Sequence, residues 1–259
     1  MLTLTADGLV GRYASMPSGA QRPAVLSLGG SEGGLASGEL TTLLASRGYP
    51  TLELAYFRQP GLPQALREIP LEYLESGLQW LARQPGVDPE RLVVLGRSRG
   101  AELALLLGSR YAELVYGVAA YAPSSVVNPA LDGIAPAWTH AGRPIPHVTR
   151  EEYGHAKPQL TPEAIIPVER IRGPIFVVAG VADGVWPAPS YAAAIADRLR
   201  AAGKRDFSSL IYPAAGHAVV ATVPYVPSPT EVPGGTVADA RARTDSWFKL
   251  LAFLARTRR

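Results

Sequence analysis

Apolar residues follow two spacings along this chain, one typical of buried strands and one typical of helices. Short apolar runs bounded by Gly, Pro or polar residues predict strands buried on both faces. These runs are residues 23–28, 50–56, 92–95, 115–122, 174–180 and 207–212. Apolar residues at helical spacing lie between them, most clearly over 71–81 and 191–199. Strands that alternate with helices predict an α/β fold with a mostly parallel central sheet and helices on both faces.

The two ends of the chain each add one predicted element. Residues 2–5 and 9–13 flank an Ala-Asp-Gly turn sequence and predict a short hairpin. Near the other end, Thr236 precedes Asp239 by three residues, which is the spacing of a capping box at the start of a helix. The apolar face of that helix is predicted to carry Trp247, Leu250, Leu251 and Leu254.

Three segments interrupt this pattern. Residues 61–70 and 213–235 are rich in Pro with charge or Gly and predict loops. Residues 124–172 are too long for a structureless loop in a compact domain, so we expect a cap folded over the site. Within it, Trp138 and Tyr153 are candidate substrate-binding residues, with packing of the cap onto the body as the alternative. Three of the four histidines also lie there and are expected at the surface or in the packing of the cap: His140, His147 and His155.

One motif stands at a junction between a strand and a helix. Gly96-Arg97-Ser98-Arg99-Gly100 follows the apolar run 92–95 and precedes the helix-forming residues 101–108. Strand, Gly-x-Ser-x-Gly and helix in direct succession are typical of a nucleophile elbow. The glycines are needed because side chains at the flanking positions would collide in so tight a turn. Ser98 is therefore the candidate nucleophile, and the alternative is a chance occurrence of the motif in an ordinary loop.

A serine nucleophile requires a base and a carboxylate that orients the base. In α/β-hydrolases these residues follow the serine in the order acid, then histidine, each after a core strand. Asp183 comes just after the strand predicted to end at Gly180, and His217 comes just after the strand predicted to end at Tyr212. Ser98, Asp183 and His217 are therefore the predicted catalytic triad. For Asp183 the alternative is a turn residue, since Asp183 is followed by glycine.

An oxyanion hole requires backbone N–H groups directed at the developing negative charge. The amide of Arg99, directly after the nucleophile, is one candidate donor. The second is expected in the glycine-rich loop 29–34, from Ser31 or alternatively Gly30. A phosphate cradle is the competing interpretation of this loop, but its spacing fits neither a Walker loop nor a dinucleotide fingerprint.

Composition narrows the classes of function. A chain of 259 residues, 47% hydrophobic and 18% charged, is long enough for one well-filled core, and we expect a single domain over residues 1–259. The net charge of +3 is scattered, which argues against nucleic-acid binding. The absence of cysteine excludes a thiol nucleophile and Cys-ligated zinc. With no metal, cofactor, signal peptide or membrane span expected, a cytoplasmic enzyme is the prediction.

Several stretches resemble the C-terminal catalytic domain of the acyl-CoA thioesterases and bile acid-CoA:amino acid N-acyltransferases, which is similar to dienelactone hydrolases. They run in family order from about residue 20 to 255 and include LGGSEGGL, EIPLEYLESGLQWL, GRSRGAELALLLGSRY, VVAGVADGVWPA, LIYPAAGH and DSWFKLLAFL. The resemblance implies an α/β-hydrolase fold, a thioester substrate and a triad that maps onto Ser98, Asp183 and His217.

The chain departs from that family pattern in two ways. Mammalian-type members carry an N-terminal β-sandwich domain, and none is expected here because the sequence starts close to the hydrolase strands. The position before the nucleophile is also arginine. Arg97 is expected to pair with Glu102 or another nearby carboxylate, or otherwise to meet an anionic substrate group such as a carboxylate or a CoA phosphate.

Four functions remain open from the sequence. The favoured one is hydrolysis of an acyl-CoA or other acyl thioester through an acyl-enzyme, since serine esters suit attack by water. The alternatives are transfer of the acyl group to an amine or hydroxyl, including cyclisation, and hydrolysis of a carboxylic ester or lactone. A hydrolase fold retained as a ligand receptor is the non-enzymatic alternative. The expected partner is the small-molecule substrate, bound by a monomer or homodimer.

Overall fold

Strands and helices alternate along most of the chain. The computed structural model describes residues 2–4, 8–17, 20–36, 38–224 and 236–257. Its strands are β1 (Leu2–Leu4), β2 (Gly11–Ala14), β3 (Arg22–Leu28), β4 (Thr51–Leu54), β5 (Ile69–Pro70), β6 (Val87–Arg97), β7 (Val115–Tyr121), β8 (Trp138–His140), β9 (Arg143–Pro144), β10 (Ile175–Gly180) and β11 (Phe207–Tyr212). Its α-helices are α1 (Glu39–Ser46), α2 (Leu71–Ala82), α3 (Arg99–Arg110), α4 (Ala188–Ala201) and α5 (Val237–Arg256).

The central sheet contains eight of these strands in the order β1-β2-β4-β3-β6-β7-β10-β11. The β1–β2 and β2–β4 pairs are antiparallel, and every pair from β4 to β11 is parallel. The predicted N-terminal hairpin is present as β1 and β2, while the residues of its turn, 5–7, lie outside the described part. The prediction of a mostly parallel sheet is confirmed.

Helices cover this sheet on both faces. Side chains of successive strand residues point to opposite faces, so a strand buried at every position must be covered on both. All six residues of β10 are buried, as are the last six of β3. Both strands belong to one continuous cluster of buried apolar residues that also includes residues of all five helices.

The strand and helix on either side of the Gly-x-Ser-x-Gly motif are longer than predicted. Strand β6 starts at Val87 and reaches Arg97, and α3 starts at Arg99, so Ser98 alone separates them. Because β6, β10 and β11 are parallel, their carboxyl ends meet at one edge of the sheet. The residues that follow these three strands are thereby brought to the same place.

The segment 124–172, which we call the cap segment, is mostly irregular but well packed. It contains β8, β9 and two short 3-10 turns, Pro162–Ala164 and Val168–Arg170. Strand β8 also pairs with β5, so the predicted loop 61–70 ends in a two-residue strand, a correction to the sequence-based prediction. The cap segment buries both apolar and polar residues, and the apolar ones include Val126, Trp138, Ile145, Val148 and Ile166.

The C-terminal helix begins with the capping box predicted from the sequence. The Thr236 hydroxyl oxygen accepts a hydrogen bond from the Asp239 amide at 3.3 Å, and the Asp239 carboxylate accepts one from the Thr236 amide at 2.6 Å. The predicted loop 213–235 includes a 3-10 turn, His217–Ala221, while residues 225–235 lie outside the described part. Within the described ranges, no helix is both long and apolar enough to cross a bilayer.

Candidate active site

Ser98 occupies a strained turn between β6 and α3. Its backbone has φ of 53° and ψ of −120°, in the left-handed half of conformational space that non-glycine residues rarely adopt. A Cβ atom on Gly96 would lie 1.9 Å from the carbonyl oxygen of Gly100, and one on Gly100 would lie 2.1 Å from that of Gly29. Both positions therefore require glycine, which is the reason for the glycines of the elbow motif.

Ser98, His217 and Asp183 form a hydrogen-bonded chain. The Oγ of Ser98 lies 3.1 Å from His217 Nε2, and His217 Nδ1 lies 2.8 Å from Asp183 Oδ2. A carboxylate can only accept hydrogen bonds, so the Nδ1 atom carries the proton and Nε2 is free to accept one from the serine. The arrangement supplies a base beside the hydroxyl and a carboxylate that orients the base.

The Asp183 carboxylate is held from two sides. Its Oδ1 atom accepts backbone hydrogen bonds from Val185 at 2.9 Å and Trp186 at 3.2 Å, while Oδ2 faces the histidine. The aspartate therefore also has the turn role that its position next to a glycine had suggested. The Trp186 ring in turn packs edge-on against the imidazole of His217, with centroids 6.4 Å apart. These contacts restrict both side chains to the orientation that faces Ser98.

The glycine-rich loop after β3 brings Gly30 against Ser98. A Cβ atom at this position would lie 3.2 Å from the Cβ of Ser98, and the Gly30 amide donates a 2.9 Å hydrogen bond to Oε1 of Glu32. Ser31, favoured from the sequence as an oxyanion donor, is the next residue and is exposed. The amide of Arg99 is in the first turn of α3, where N–H groups have no intrahelical acceptor.

The two arginines that flank Ser98 pair with different carboxylates. Arg97 lies 3.8 Å from Glu32 (Nη2 to Oε1), so its partner is in the glycine-rich loop and not Glu102. Arg99 lies 3.0 Å from Glu102 (Nη1 to Oε2), and this pair is buried. The Arg99 guanidinium also donates to the carbonyl oxygens of residues 128 and 129 in the cap segment.

Glu102, in the first turn of α3 after Ser98, is the centre of a buried polar cluster. Its carboxylate accepts hydrogen bonds from the Trp138 indole at 2.7 Å and from the Asn128 side-chain amide at 2.8 Å. Burial raises the pKa of the Glu102 carboxyl, and the positive charge of Arg99 and the donated hydrogen bonds oppose that shift. Glu102 and Arg99 therefore both join α3 to the cap segment.

The two aromatic residues named from the cap segment differ in position. Trp138 has no exposed surface, and its ring lies 5.8 Å from the Arg99 guanidinium, so the structure places it in packing. Tyr153 is 50% exposed and lines a cavity of about 460 Å³. Arg99, the residue that follows Ser98, lines the same cavity. The remaining lining residues come from the cap segment: Pro129, Ala130, Leu131, Asp132, Gly133 and Arg150.

A family model described as BAAT / acyl-CoA thioester hydrolase C terminal matches residues 69–258. The chain belongs to this family. Mouse acyl-coenzyme A thioesterase 6 is 27% identical over 95% of this chain and 63% of that protein. Rat acyl-coenzyme A amino acid N-acyltransferase 2 is 30% identical over 89% of this chain and 59% of that protein. The chain thus spans about three fifths of the length of these relatives, and the resemblance inferred from its motifs is confirmed.

Solved structures show the fold of this BAAT / acyl-CoA thioester hydrolase domain. A putative dienelactone hydrolase from Klebsiella pneumoniae superposes with a TM-score of 0.66 at 18% identity, covering 96% of this chain and 93% of that chain. Pyrococcus horikoshii acylaminoacyl peptidase superposes with a TM-score of 0.62 at 14% identity, over 95% of this chain and 39% of that chain. The α/β-hydrolase fold expected from the sequence is confirmed.

Three residues of the site have roles that the sequence analysis does not predict. Asn128 was not singled out, although its backbone and side chain both donate to Glu102. Glu102 was considered only as a partner for Arg97, yet a glutamate within the apolar run of α3 is itself a signal, because a charge there must find buried partners. The role of Glu32 carries no comparable signal, since it depends on how the loop turns back on itself.

Proposed function

We propose that this chain hydrolyses an acyl-CoA or another acyl thioester through an acyl-enzyme on Ser98. The observation that carries the proposal is the continuous hydrogen-bonded chain from Ser98 through His217 to Asp183 at a strained elbow. Ser98 Oγ attacks the thioester carbonyl carbon while His217 Nε2 takes the hydroxyl proton. The amides of Arg99 and Gly30 receive the oxyanion, with the Gly30 amide first released by Glu32.

Collapse of the tetrahedral intermediate breaks the carbon–sulfur bond. The thiolate leaves with the proton from His217, and the acyl group remains on Ser98 as an ester. A water molecule then gives a proton to His217 and attacks that ester, and the acid leaves as Ser98 regains its proton. Asp183 holds the imidazole in one tautomer and stabilises its charged form throughout.

The cavity beside Arg99 is the proposed site for the acyl chain. Its volume of about 460 Å³ is within the range of small-molecule sites, and most of its wall comes from the cap segment. Tyr153 is the aromatic residue we assign to this wall. The names of the relatives, acyl-coenzyme A thioesterase and acyl-coenzyme A amino acid N-acyltransferase, support an acyl-CoA as the donor.

The test combines labelling with product analysis. Intact-mass spectrometry after incubation with acyl-CoAs and simple esters should show an acyl adduct on the wild type, and a fluorophosphonate should label it as well. Ser98→Ala should show neither adduct, and turnover should fall by several orders of magnitude in Ser98→Ala and in His217→Ala. Ser76→Ala, at an exposed serine on α2, is the matched control and should behave as wild type. Wild-type turnover in Ser98→Ala contradicts the proposal.

Transfer to an amine is the second candidate, because a 30%-identical relative is an amino acid N-acyltransferase. Both reactions share the acyl-enzyme and differ only in what attacks it. Products formed by the wild type with and without glycine, taurine and simple alcohols separate them. Free acid as the dominant product under all conditions supports hydrolysis, and a dominant conjugate or cyclised product supports transfer.

A further inference from the structure

The carboxylate of Glu32 lies next to the Gly30 amide, which is the proposed donor to an oxyanion on Ser98. The point where a Cβ on Gly30 would sit lies 2.7 Å from Glu32 Oε2 and 3.2 Å from the Ser98 Cβ, so both residues border the same small volume. The other oxygen, Oε1, accepts the Gly30 amide hydrogen bond at 2.9 Å. An amide has one N–H, so Glu32 and an oxyanion compete for it.

Arg97 offers the displaced carboxylate a second position. Its Nη2 already lies 3.8 Å from Glu32 Oε1, just beyond hydrogen-bond distance. The Nε of Arg97 is buried and has no hydrogen-bond partner among the described residues, so the guanidinium has donors to spare. Arg97 itself is at the end of β6 and its side chain is only 15% exposed, whereas that of Glu32 is 59% exposed. Glu32 is therefore the member of the pair that can move.

The loop does not need the Glu32 side chain to keep its shape. The Tyr56 hydroxyl donates to the Gly29 carbonyl oxygen at 2.7 Å, and the Arg58 guanidinium donates to the backbone carbonyl oxygen of Glu32 at 3.0 Å. The amide of Gly34 donates to the Phe57 carbonyl oxygen at 2.9 Å. Because these bonds involve the backbone of the loop, removal of the carboxylate should leave the fold intact.

We propose that Glu32 is a positioning residue that holds the Gly30 amide until substrate arrives and then moves onto Arg97. This inference rests on the proposed function, since it requires an oxyanion on Ser98. Departure of the carboxylate also removes a negative charge from beside the oxyanion, which like-charge repulsion would otherwise destabilise. Arg97, in this arrangement, acts through Glu32 and not on the substrate.

An alkyl trifluoromethyl ketone tests the inference because it stops at the tetrahedral stage. Ser98 Oγ bonds to the ketone carbon, His217 takes the serine proton, and the ketone oxygen becomes an oxyanion. The inhibition constant then reports how well the oxyanion is bound. Glu32→Ala should bind the inhibitor about tenfold more tightly than wild type, the change for a difference of ~1.4 kcal/mol. Glu32→Gln keeps the acceptor oxygen without the charge, and its inhibition constant should lie between those of the wild type and Glu32→Ala.

The Arg97 variants test whether Arg97 affects inhibitor binding through Glu32, which a residue with only a structural role would not do. Arg97→Gln should weaken inhibitor binding when Glu32 is present and have no effect in the Glu32→Ala background, a non-additive double-mutant cycle. Glu113→Ala, at an exposed glutamate beyond the opposite end of α3, is the charge-matched control and should leave the constant unchanged. Melting temperatures of all variants report whether they fold as the wild type does.

The outcomes separate the two proposals. Unchanged or weaker inhibitor binding by folded Glu32→Ala overturns the inference, as does an equal effect of Arg97→Gln in both backgrounds. If the ketone does not inhibit the wild type and a fluorophosphonate does not label Ser98, the proposed function fails and the inference fails with it. Inhibition of the wild type with no Glu32 effect leaves the proposed function standing and removes the inference alone.

Discussion

Arg99 and Glu102 form an ion pair with almost no exposed surface, one turn apart at the start of α3. Taking two charges out of water is costly, so such a pair persists only where further hydrogen bonds complete it. Here the Trp138 indole and Asn128 donate to the carboxylate, and the backbone carbonyl oxygens of the cap segment accept from the guanidinium. The pair therefore links the residue after Ser98 to the segment proposed to enclose the substrate.

Glu102→Gln should be strongly destabilising. The substitution leaves the Arg99 charge buried without a counter-charge, and breaking a buried pair in this way typically costs about 3–5 kcal/mol. Urea unfolding should show this loss in the free energy of unfolding. Glu90→Gln removes an exposed partner of Arg172 and should cost less than about 1 kcal/mol. A loss for Glu102→Gln as small as that of the control would contradict the role assigned to the buried pair.

Trp138 and Tyr153 should respond differently to substitution. Trp138→Phe removes the indole donor to Glu102 and should lower the free energy of unfolding by about 1–3 kcal/mol with the acyl-chain preference unchanged. Tyr153→Ala changes a half-exposed residue of the cavity wall and should alter that preference with little loss of stability. The measurements are melting temperature and kcat/KM across acyl-CoAs of increasing length. A changed acyl-chain preference in Trp138→Phe, together with a large loss of stability in Tyr153→Ala, would assign Trp138 to the cavity wall and Tyr153 to the packing of the cap segment.

Gly100→Ala should abolish activity and reduce soluble expression. The added Cβ would lie 2.1 Å from the carbonyl oxygen of Gly29 and 2.6 Å from that of Leu28, just before Gly30. These are backbone atoms, which cannot move aside as the end of a side chain can. Gly77→Ala is the matched control, because its Cβ would meet only the end of the Leu54 side chain. Alanine also favours a helix by about 1 kcal/mol over glycine. The control should therefore remain folded and active, and an active Gly100→Ala would contradict the packing described for the elbow.

The Glu169–Arg198 pair should make stability depend on pH. Hydrogen bonds from Arg198 lower the pKa of the Glu169 carboxyl below its usual 4.5. A carboxylate with a lowered pKa contributes stability above its unfolded-state value, and the contribution is lost as pH falls through the folded-state value. The free energy of unfolding of the wild type should exceed that of Glu169→Gln by about 0.5–1 kcal/mol at neutral pH. The difference is small because both side chains of the pair are partly exposed.

Urea unfolding of both proteins at neutral pH and at about pH 3 measures this difference, which should shrink at the lower pH. Asp197→Asn, which removes the exposed Asp197–Arg200 pair, should change the free energy of unfolding little at either pH. A difference that persists undiminished in acid would assign the effect of Glu169 to packing.

Local patterns accounted for most of the fold and for the residues that the site brings together. Apolar runs are sufficient to predict buried strands such as β3 and β10, because burial on both faces makes most of their positions apolar. The order of a serine, an acid and a histidine after successive parallel strands placed Ser98, Asp183 and His217 at one edge of the sheet. Their hydrogen bonds are seen in the structure, and their catalytic role remains a prediction.

Long-range pairings were not predictable in the same way. The two-residue strand β5 pairs with β8, and two residues are too few to show any periodicity. The partner of Arg97 is a loop glutamate across from β6, and the composition of the cap segment could not distinguish a buried Trp138 from an exposed Tyr153. Each depends on how distant parts of the chain approach one another, which sequence spacing does not record.

The contacts of Arg99 join the cap segment to the residue that follows Ser98. Its backbone amide adjoins Ser98, while its guanidinium donates hydrogen bonds to the main chain of the cap segment at residues 128 and 129. A cap that shifts outward therefore pulls on a proposed oxyanion donor. Under the proposed function, substrate range should therefore vary with the side chains on the cavity wall, because loosening the cap segment would displace the Arg99 amide before it widened the cavity.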